Sequence, residues 1–200
     1  MEHIRKACHQ DLPHIYRISL KTSLAGLDGT DFFNDPFCVG HYYAAPYLFH
    51  EPDLCYVALN GHNVPSGYIV GTSNTEEFNQ WMNQVWLPTL QEQYKCLTDF
   101  KCQSEERIVE QICKGPGEGI WEHVGYSAHL HINLLPEMQG QGIGKGLMTT
   151  LFEALQEKKI DGVHLGVDGH NDKAKRFYER IGMTVLETPQ WGSVYGKSFF

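Results

Sequence analysis

The chain has 200 residues, 42% hydrophobic and 20% charged, with 10 Tyr, 10 Phe and 4 Trp, a composition that supports a substantial core and excludes general disorder. Sixteen Lys and Arg against 24 Asp and Glu leave a net charge of −8. That balance excludes broad phosphate-driven binding to nucleic acid or an anionic membrane, and leaves room only for a local anion site.

The N-terminus shows no secretory signal, no apolar run reaches the length of a membrane span, and the six cysteines show no paired rhythm. The expectation is one intracellular domain over residues 1–200, cytoplasmic or nuclear, with reduced thiols. Residues 4–8 predict a strand. Asp11 is placed to cap a helix with Pro13 in its first turn, and Leu12, Ile15, Ile18 and Leu20 share its apolar face. Residues 26–36 read as a loop. An aromatic stretch, Tyr42-Tyr43-Ala44-Ala45-Pro46-Tyr47, predicts a short helix broken at the proline. Strands at 54–59 and 68–72, joined by the turn residues Asn60-Gly61-His62-Asn63, form a hairpin.

Residues 74–94 keep helical spacing through Phe78, Trp81, Met82, Val85, Trp86 and Leu90, with Pro88 as a kink. A second short helix covers 105–113, and 114–119 is glycine-rich loop. The block 74–124 is too small for a core of its own, so it reads as a helical insertion between the third and fourth strands. Its tryptophans either cover one side of the sheet, narrowing a cleft, or form a homodimer face. Residues 128–135 predict a strand with apolar alternation, 143–158 a helix, 163–167 a strand, and 171–181 a helix ending at Gly182. Strands at 183–186 and 194–198 complete a β-α-β-α-β order, an α/β fold.

The chemistry concentrates in the turn Pro136-Glu137-Met138-Gln139-Gly140-Gln141-Gly142-Ile143-Gly144-Lys145-Gly146, between a strand and a helix. Glycines there let backbone N–H groups approach an oxyanion, the helix adds its free N–H groups and positive end, and Lys145 adds charge. A P-loop is excluded, because Gln139 replaces its leading Gly and Gly146 its Ser or Thr. The GxGxxG spacing of a Rossmann turn also fails. The spacing Gln139-x-x-Gly142-x-Gly144 instead resembles the acetyl-CoA pyrophosphate loop of the GNAT acetyltransferase superfamily. Asn171-Asp172-Lys173-Ala174-Lys175-Arg176-Phe177-Tyr178-Glu179-Arg180-Ile181-Gly182-Met183 resembles its NxxAxxFYxxxGF element, with Met for the final Phe. Segments 40–47, 51–52 and 129–136 further resemble the acetyltransferase-like C-terminal domain of O-GlcNAc hydrolases and its stand-alone relatives, some of which have lost the glycine loop. Here that loop is intact.

The resemblance implies a mixed central sheet flanked by helices, and direct acetyl transfer from acetyl-CoA, the co-substrate, to a primary amine. It assigns the cofactor to the backbone of Ile132, Leu134 and Leu135, to the turn residues Gln139, Gly140, Gln141, Gly142, Ile143, Gly144 and Lys145, and to Asn171, Lys173, Ala174, Phe177 and Tyr178. Asn171 would hold the pantetheine amide, and Tyr178 would protonate the departing thiolate. Lys173, Lys175 and Arg176 either meet the 3′-phosphate or form a solvated face. His129 and His131, on one strand face, are candidate bases, followed by Asp168 and His170 just beyond a strand end. Each also has a plain reading, as a half-exposed strand residue or a turn cap. No third ligand accompanies His129-x-His131, so no metal is expected. Asp28, Asp31, Asp35 and the aromatic residues near them border the expected acceptor site, where they either attract a cationic amine or serve only as loop caps and core. The competing function is a catalytically silent binding module, with or without CoA.

Overall fold

In the computed structural model, which describes residues 3–116 and 125–200, a seven-stranded sheet runs in the order β1-β2-β3-β4-β5-β7-β6. Its strands are β1 (Ile4–Lys6), β2 (Cys55–Leu59), β3 (Pro65–Thr72), β4 (Ala128–Leu134), β5 (Gly162–Asp168), β6 (Thr184–Glu187) and β7 (Gly192–Ser198). All neighbours are antiparallel except β4 and β5, which run parallel. The sheet is therefore mixed, and helices cover both faces.

Alternation along the strands separates two cores. Tyr56, Ala58, Ile69, Ala128, Leu130, Val163, Leu165 and Val167 face α7 (Ile143–Glu157) and α8 (Asp172–Arg180). Leu147, Leu151 and Leu155 of α7 are buried there at helical spacing, each worth about 1.5–3 kcal/mol of apolar transfer. Cys55, Val57, Tyr68 and Val70 face the other way, onto α1 (Leu12–Leu20), α2 (Cys38–Tyr43), α3 (Ala45–His50) and the helices α4 (Thr75–Trp81), α5 (Leu87–Tyr94) and α6 (Gln103–Lys114).

Several local expectations shift. β1 stops at Lys6 because Arg5 and the Cys8 N–H both turn to Asp11, whose carboxylate Arg5 holds down at about 2. Asp11 occupies the cap position of α1 but caps nothing there with its side chain. Pro46 does not end a helix: it sits in the first turn of α3, where a missing N–H costs nothing. Between α4 and α5 the chain widens into a π-helical segment, Met82–Trp86, just ahead of Pro88 in the first turn of α5. Asn74 caps α4, accepting from the N–H groups of Glu76 and Glu77.

The helices α4–α6 do lie between β3 and β4, and Phe78, Met82, Leu87, Leu90, Tyr94, Ile108, Val109 and Ile112 join the same core as α1–α3. Glu105 is fully buried, and its carboxylate accepts from the N–H groups of Asn34 (2.5 Å), Asp35 (3.1 Å) and Lys101 (2.8 Å), tying the α1–α2 connection to α6. The loop expected at 114–119 falls in part on residues 117–124, outside the described residues. Among the described residues, no helix is long and apolar enough to cross a membrane.

Candidate active site

β4 and β5 pair only at Ala128↔Val163 and His129↔His164 and then diverge, leaving the end of β4 without a partner on that side. Leu135 donates its N–H to Ser66 of β3 at 2.9 Å. By strand alternation, the N–H groups of Ile132 and Leu134 therefore face the opening. Leu135 does not: its N–H is already used on the β3 side, a correction to its expected cofactor role. The Leu134 carbonyl is likewise occupied, accepting from Gln139 Nε2 at 2.9 Å. That bond folds the glutamine back to brace the turn.

At the turn itself, Gly140 and Gly142 have φ of 75° and 79°, and a Cβ at either would meet nothing within 4 Å. Both face open space in a conformation that L side chains avoid. Gly142 is the N-cap of α7 and supplies no side-chain cap, so the first-turn N–H groups of a 15-residue helix remain free of protein capping. Such a turn leaves backbone N–H groups and the positive end of the helix available to an anion. Gly144 serves a different purpose, since its Cβ would press on Phe177 of α8 at 3.4 Å. Ile143 and Lys145 belong to the first turn of α7, with Lys145 exposed, and Gln141 reaches back to the Glu137 carbonyl at 2.7 Å.

Opposite the turn, Asn171 caps α8 by accepting from Ala174 N–H at 3.1 Å, which leaves its amide nitrogen for other partners. Lys173 donates to Gln139 Oε1 and so links α8 to the turn. Lys175 donates to the Gly169 carbonyl and pairs with Asp172. Tyr178 is buried between Phe177 and Tyr195, and its hydroxyl has no hydrogen-bond partner among the described residues. Burial raises its pKa, so it stays a protonated donor. A buried hydroxyl without a partner is costly, and such atoms mark places where a ligand completes the structure.

Across the sheet, the other face of β4 carries His129, His131 and Asn133. Thr75 donates to the Ser127 carbonyl at 2.7 Å, so its oxygen accepts from His129 Nδ1 at 2.8 Å, and Tyr47 donates to Nε2 at 2.6 Å. Both ring nitrogens of His129 are therefore occupied. Burial and the neighbouring His131 hold its pKa well below 6.5. His129 is thus a structural link, which removes the sequence-based case for it as a base. His131 packs edge-on against Tyr43 and Tyr47, with no hydrogen-bond partner among the described residues. Burial lowers its pKa to about 4. Asn133 donates to Thr22. Asp168 is exposed at the end of β5, and its Oδ1 accepts His170 N–H at 2.8 Å, a turn cap.

The loop after α1 borders this face. Gly26 arches to α8, where an added Cβ would lie 3.8 Å from Asn171 Nδ2, and a cleft of ≈ 300 Å³ opens between residues 26–28 and 135–137. Two of the loop's carboxylates are already engaged. Asp28 is held at about 2 by Thr30 and Lys21, and Asp35 accepts from Tyr94 and Phe37. The insertion flanks the same face, with Phe78 stacked on Tyr47 at 4.3 Å and Gln111 accepting from Tyr43 at 2.6 Å. Its tryptophans do not line the cleft: Trp86 donates to the His41 carbonyl at 2.8 Å and stacks with Trp81, beside Phe49 and His50. The Tyr47–His129–Thr75 link and the position of Trp191 against Gly166, whose Cβ would lie 2.8 Å from the indole, were missed from sequence. The only available signal was the unusual H-x-H alternation on a strand.

Known proteins place this arrangement. The crystal structure of SsHAT superimposes with a TM-score of 0.86 at 31% identity, covering 98% of this chain and 96% of that one. The PaiA N-acetyltransferase from Thermoplasma acidophilum, solved in complex with coenzyme A, shares the fold at a TM-score of 0.59 and 18% identity, with 98% of each chain covered. A mycothiol acetyltransferase of Nocardiopsis dassonvillei is 40% identical over 53 residues, 26% of this chain, and the match spans 16% of that protein's length. The model of the acetyltransferase (GNAT) family matches residues 21–183. The strand divergence, the glycine turn and the α8 element are thus parts of one family architecture, and the chain belongs to the GNAT acetyltransferase family.

Proposed function

We propose that the chain is an acetyl-CoA-dependent N-acetyltransferase that passes the acetyl group directly to a primary amine. The observation that carries this reading is the divergence of β4 from β5 onto the uncapped first turn of α7. Strand edge, glycine turn and helix end each leave N–H groups for an elongated ligand with an anionic end. Gly140, Gln141, Gly142, Ile143, Gly144 and Lys145 would hold the pyrophosphate. Ile132, Leu134 and Asn171 would hold the pantetheine arm, with Gln139, Lys173, Ala174 and Phe177 shaping the channel. Acetyl-CoA supplies an activated acyl thioester.

In this reading, a strand N–H polarises the carbonyl as an oxyanion donor, and Tyr178 donates the proton that neutralises the leaving sulfur. The proton released by the amine goes to His131, whose ring nitrogens have no hydrogen-bond partner among the described residues, and not to His129. With its pKa lowered to about 4, His131 is a weak base, so positioning carries most of the rate. Asp168 stays outside the chemistry as a turn cap.

The narrower resemblance to the acetyltransferase-like domain of O-GlcNAc hydrolases is part of the proposal. The segments that carry it meet in space, with Tyr47 bonded to His129 and Tyr43 packed on His131. The packing of α4–α6 into the core of α1–α3 supports reading residues 1–200 as one domain. A silent cofactor-binding module is the second reading, favoured by the absence of an imidazole tuned near neutral pH among the described residues of the cleft. Titration calorimetry with acetyl-CoA, followed by an amine screen scored by free CoA, tests both. Binding with turnover on an amine supports transfer, and binding with no turnover on small amines, lysine peptides or N-terminal peptides supports the silent module. No binding overturns transfer and leaves a silent module that holds no CoA.

A further inference from the structure

The turn between β6 and β7 brings Trp191 back over β5. Its backbone is fixed there, the Trp191 carbonyl accepting from Gly169 N–H at 3.0 Å and the Pro189 carbonyl from Gly192 N–H at 3.0 Å. The indole lies on Gly166, where an added Cβ would come within 2.8 Å of the ring. A glycine there gives the indole its place. Val163, Leu165 and Val167 point into the core of α7 and α8, so Gly166 shares the other face of β5 with His164. His164 in turn packs on His129, with 5.8 Å between ring centroids. Trp191 therefore stands on the face of the sheet that carries His129, His131 and Asn133. The pairing Ala128↔Val163 and His129↔His164, carried on in parallel register, sets His131 level with Gly166 and Asn133 level with Asp168 across the opening. The indole is thus the wall opposite His131.

Trp191 is 45% exposed, a large aromatic surface at the mouth of the opening. Two residues along the same strand face, Asp168 adds a carboxylate. Its Oδ1 accepts from His170 N–H at 2.8 Å and lies 3.2 Å from His170 Nδ1, while Oδ2 has no partner among the described residues. Lys175, whose Nζ reaches the Gly169 carbonyl, is paired with Asp172 at 3.6 Å. An aromatic face beside a carboxylate, in a chain of net charge −8, suits a cation. The reacting amine is not that cation, because it attacks the thioester only as the neutral form. Resting on the reading of this opening as the site of acetyl transfer, we infer that Trp191 and Asp168 seat a second cationic group of the acceptor. The acceptor class is then a diamine or a similarly dicationic amine, with its second charge a short alkyl chain away from the reacting nitrogen. A monoamine lacks the contact, and an amine ending in a carboxylate meets Asp168 with like charge.

The test uses the intact protein saturated with CoA, which has no acetyl group to transfer, so binding is read apart from turnover. Calorimetry compares 1,4-diaminobutane, butylamine and 4-aminobutanoate in the wild type and in Trp191→Leu and Asp168→Asn. The asparagine keeps an acceptor for His170 N–H, so the turn is preserved, and thermal melting and CoA affinity check both variants. The wild type should bind the diamine about tenfold more tightly than butylamine, and the aminobutanoate most weakly. Each variant should lower the diamine toward butylamine while changing butylamine little. Free CoA released from acetyl-CoA should rank the three amines in the same order. Equal binding of diamine and butylamine by the wild type would overturn this inference and leave the transfer reading standing. So would a preference that survives in either variant. A wild type that binds no CoA, or that releases none from acetyl-CoA on any amine, would overturn the transfer reading, and the acceptor assignment with it.

Discussion

The two sides of the β4–β5 opening treat polar groups in opposite ways. On the side of α7 and α8, the N–H groups of Ile132 and Leu134, the uncapped first turn of α7 and the Tyr178 hydroxyl have no partner among the described residues. On the side of α1–α6, polar groups are tied to one another: His129 to Tyr47 and Thr75, Asn133 to Thr22, Tyr43 to Gln111, and Glu105 to three backbone N–H groups. Folding satisfies buried polar groups wherever it can, so atoms left bare in an otherwise complete structure point to a ligand. The first side is built to receive something, and the second to hold its own shape. His131 is the exception on the second side, which is why the proposed mechanism gives it the base role.

The largest effect should come from closing the cradle. At Gly142 a side chain would have to adopt φ of 79° and project into the open space before α7, which combines strain of about 1–2 kcal/mol with direct obstruction. Gly142→Val should weaken acetyl-CoA binding by about 100-fold or more in calorimetry, equivalent to about 2.7 kcal/mol. Gly144→Val acts by pushing on Phe177 and should weaken binding less. An unchanged affinity in Gly142→Val would break the contrast between the two sides.

Tyr178→Phe separates chemistry from stability. Loss of the proton donor should lower kcat by about 10²–10³ with little change in acetyl-CoA affinity. Because the hydroxyl is buried without a partner, removing it should leave Tm unchanged or raise it slightly. The opposite holds across the sheet. His129→Phe strands the Tyr47 hydroxyl and the Thr75 oxygen and should cost about 1–3 kcal/mol in urea melts. Equal stability losses in both variants would refute the claim that only one side is satisfied.

The satisfied side also carries a pH signature. Both imidazoles on β4 are depressed, His131 to about 4 and His129 well below its usual 6.5, chiefly by burial. Between those values the unfolded chain binds more protons than the folded one, so stability rises with pH over this window and falls as pH drops from about 6.5 toward 4. His131 alone accounts for about 3 kcal/mol of that loss, at 1.36 kcal/mol per unit. Denaturant melts at pH 7 and pH 4 measure it, and His131→Asn should flatten the slope. An equally steep slope in the variant would assign the acid sensitivity elsewhere.

The same contrast explains what was legible from sequence. A glycine-rich turn and an apolar 3–4 rhythm are local signals, and the spacing of Gly140, Gly142 and Gly144 and the helix expected over 143–158 showed them directly. The acceptor side is held by pairs distant in sequence. Tyr47 and His129 are 82 residues apart, Asn34 and Glu105 71, and Thr22 and Asn133 111. Nothing in the local pattern of His129 told a hydrogen-bonded link from a base. Leu135 failed for a related reason, since the direction of its N–H depends on pairing with β3 and not on its own neighbours.

The smallest expected effect concerns His131 itself. Were it tuned near neutrality, removing it would cost the 10²–10⁴ typical of a general base. With its pKa lowered to about 4, it holds a proton weakly, so it assists only as the amine attacks. On any amine that turns over, His131→Ala should therefore lower kcat by about tenfold at most, and the wild-type kcat should show no inflection near 6.5 that the variant lacks. A loss of 10³ or more, or a wild-type inflection near neutral pH that disappears in the variant, would mean that the filled site raises the imidazole toward an ordinary value. The acceptor side would then also be completed by its ligand, and the difference between the two faces of β4 would be one of degree.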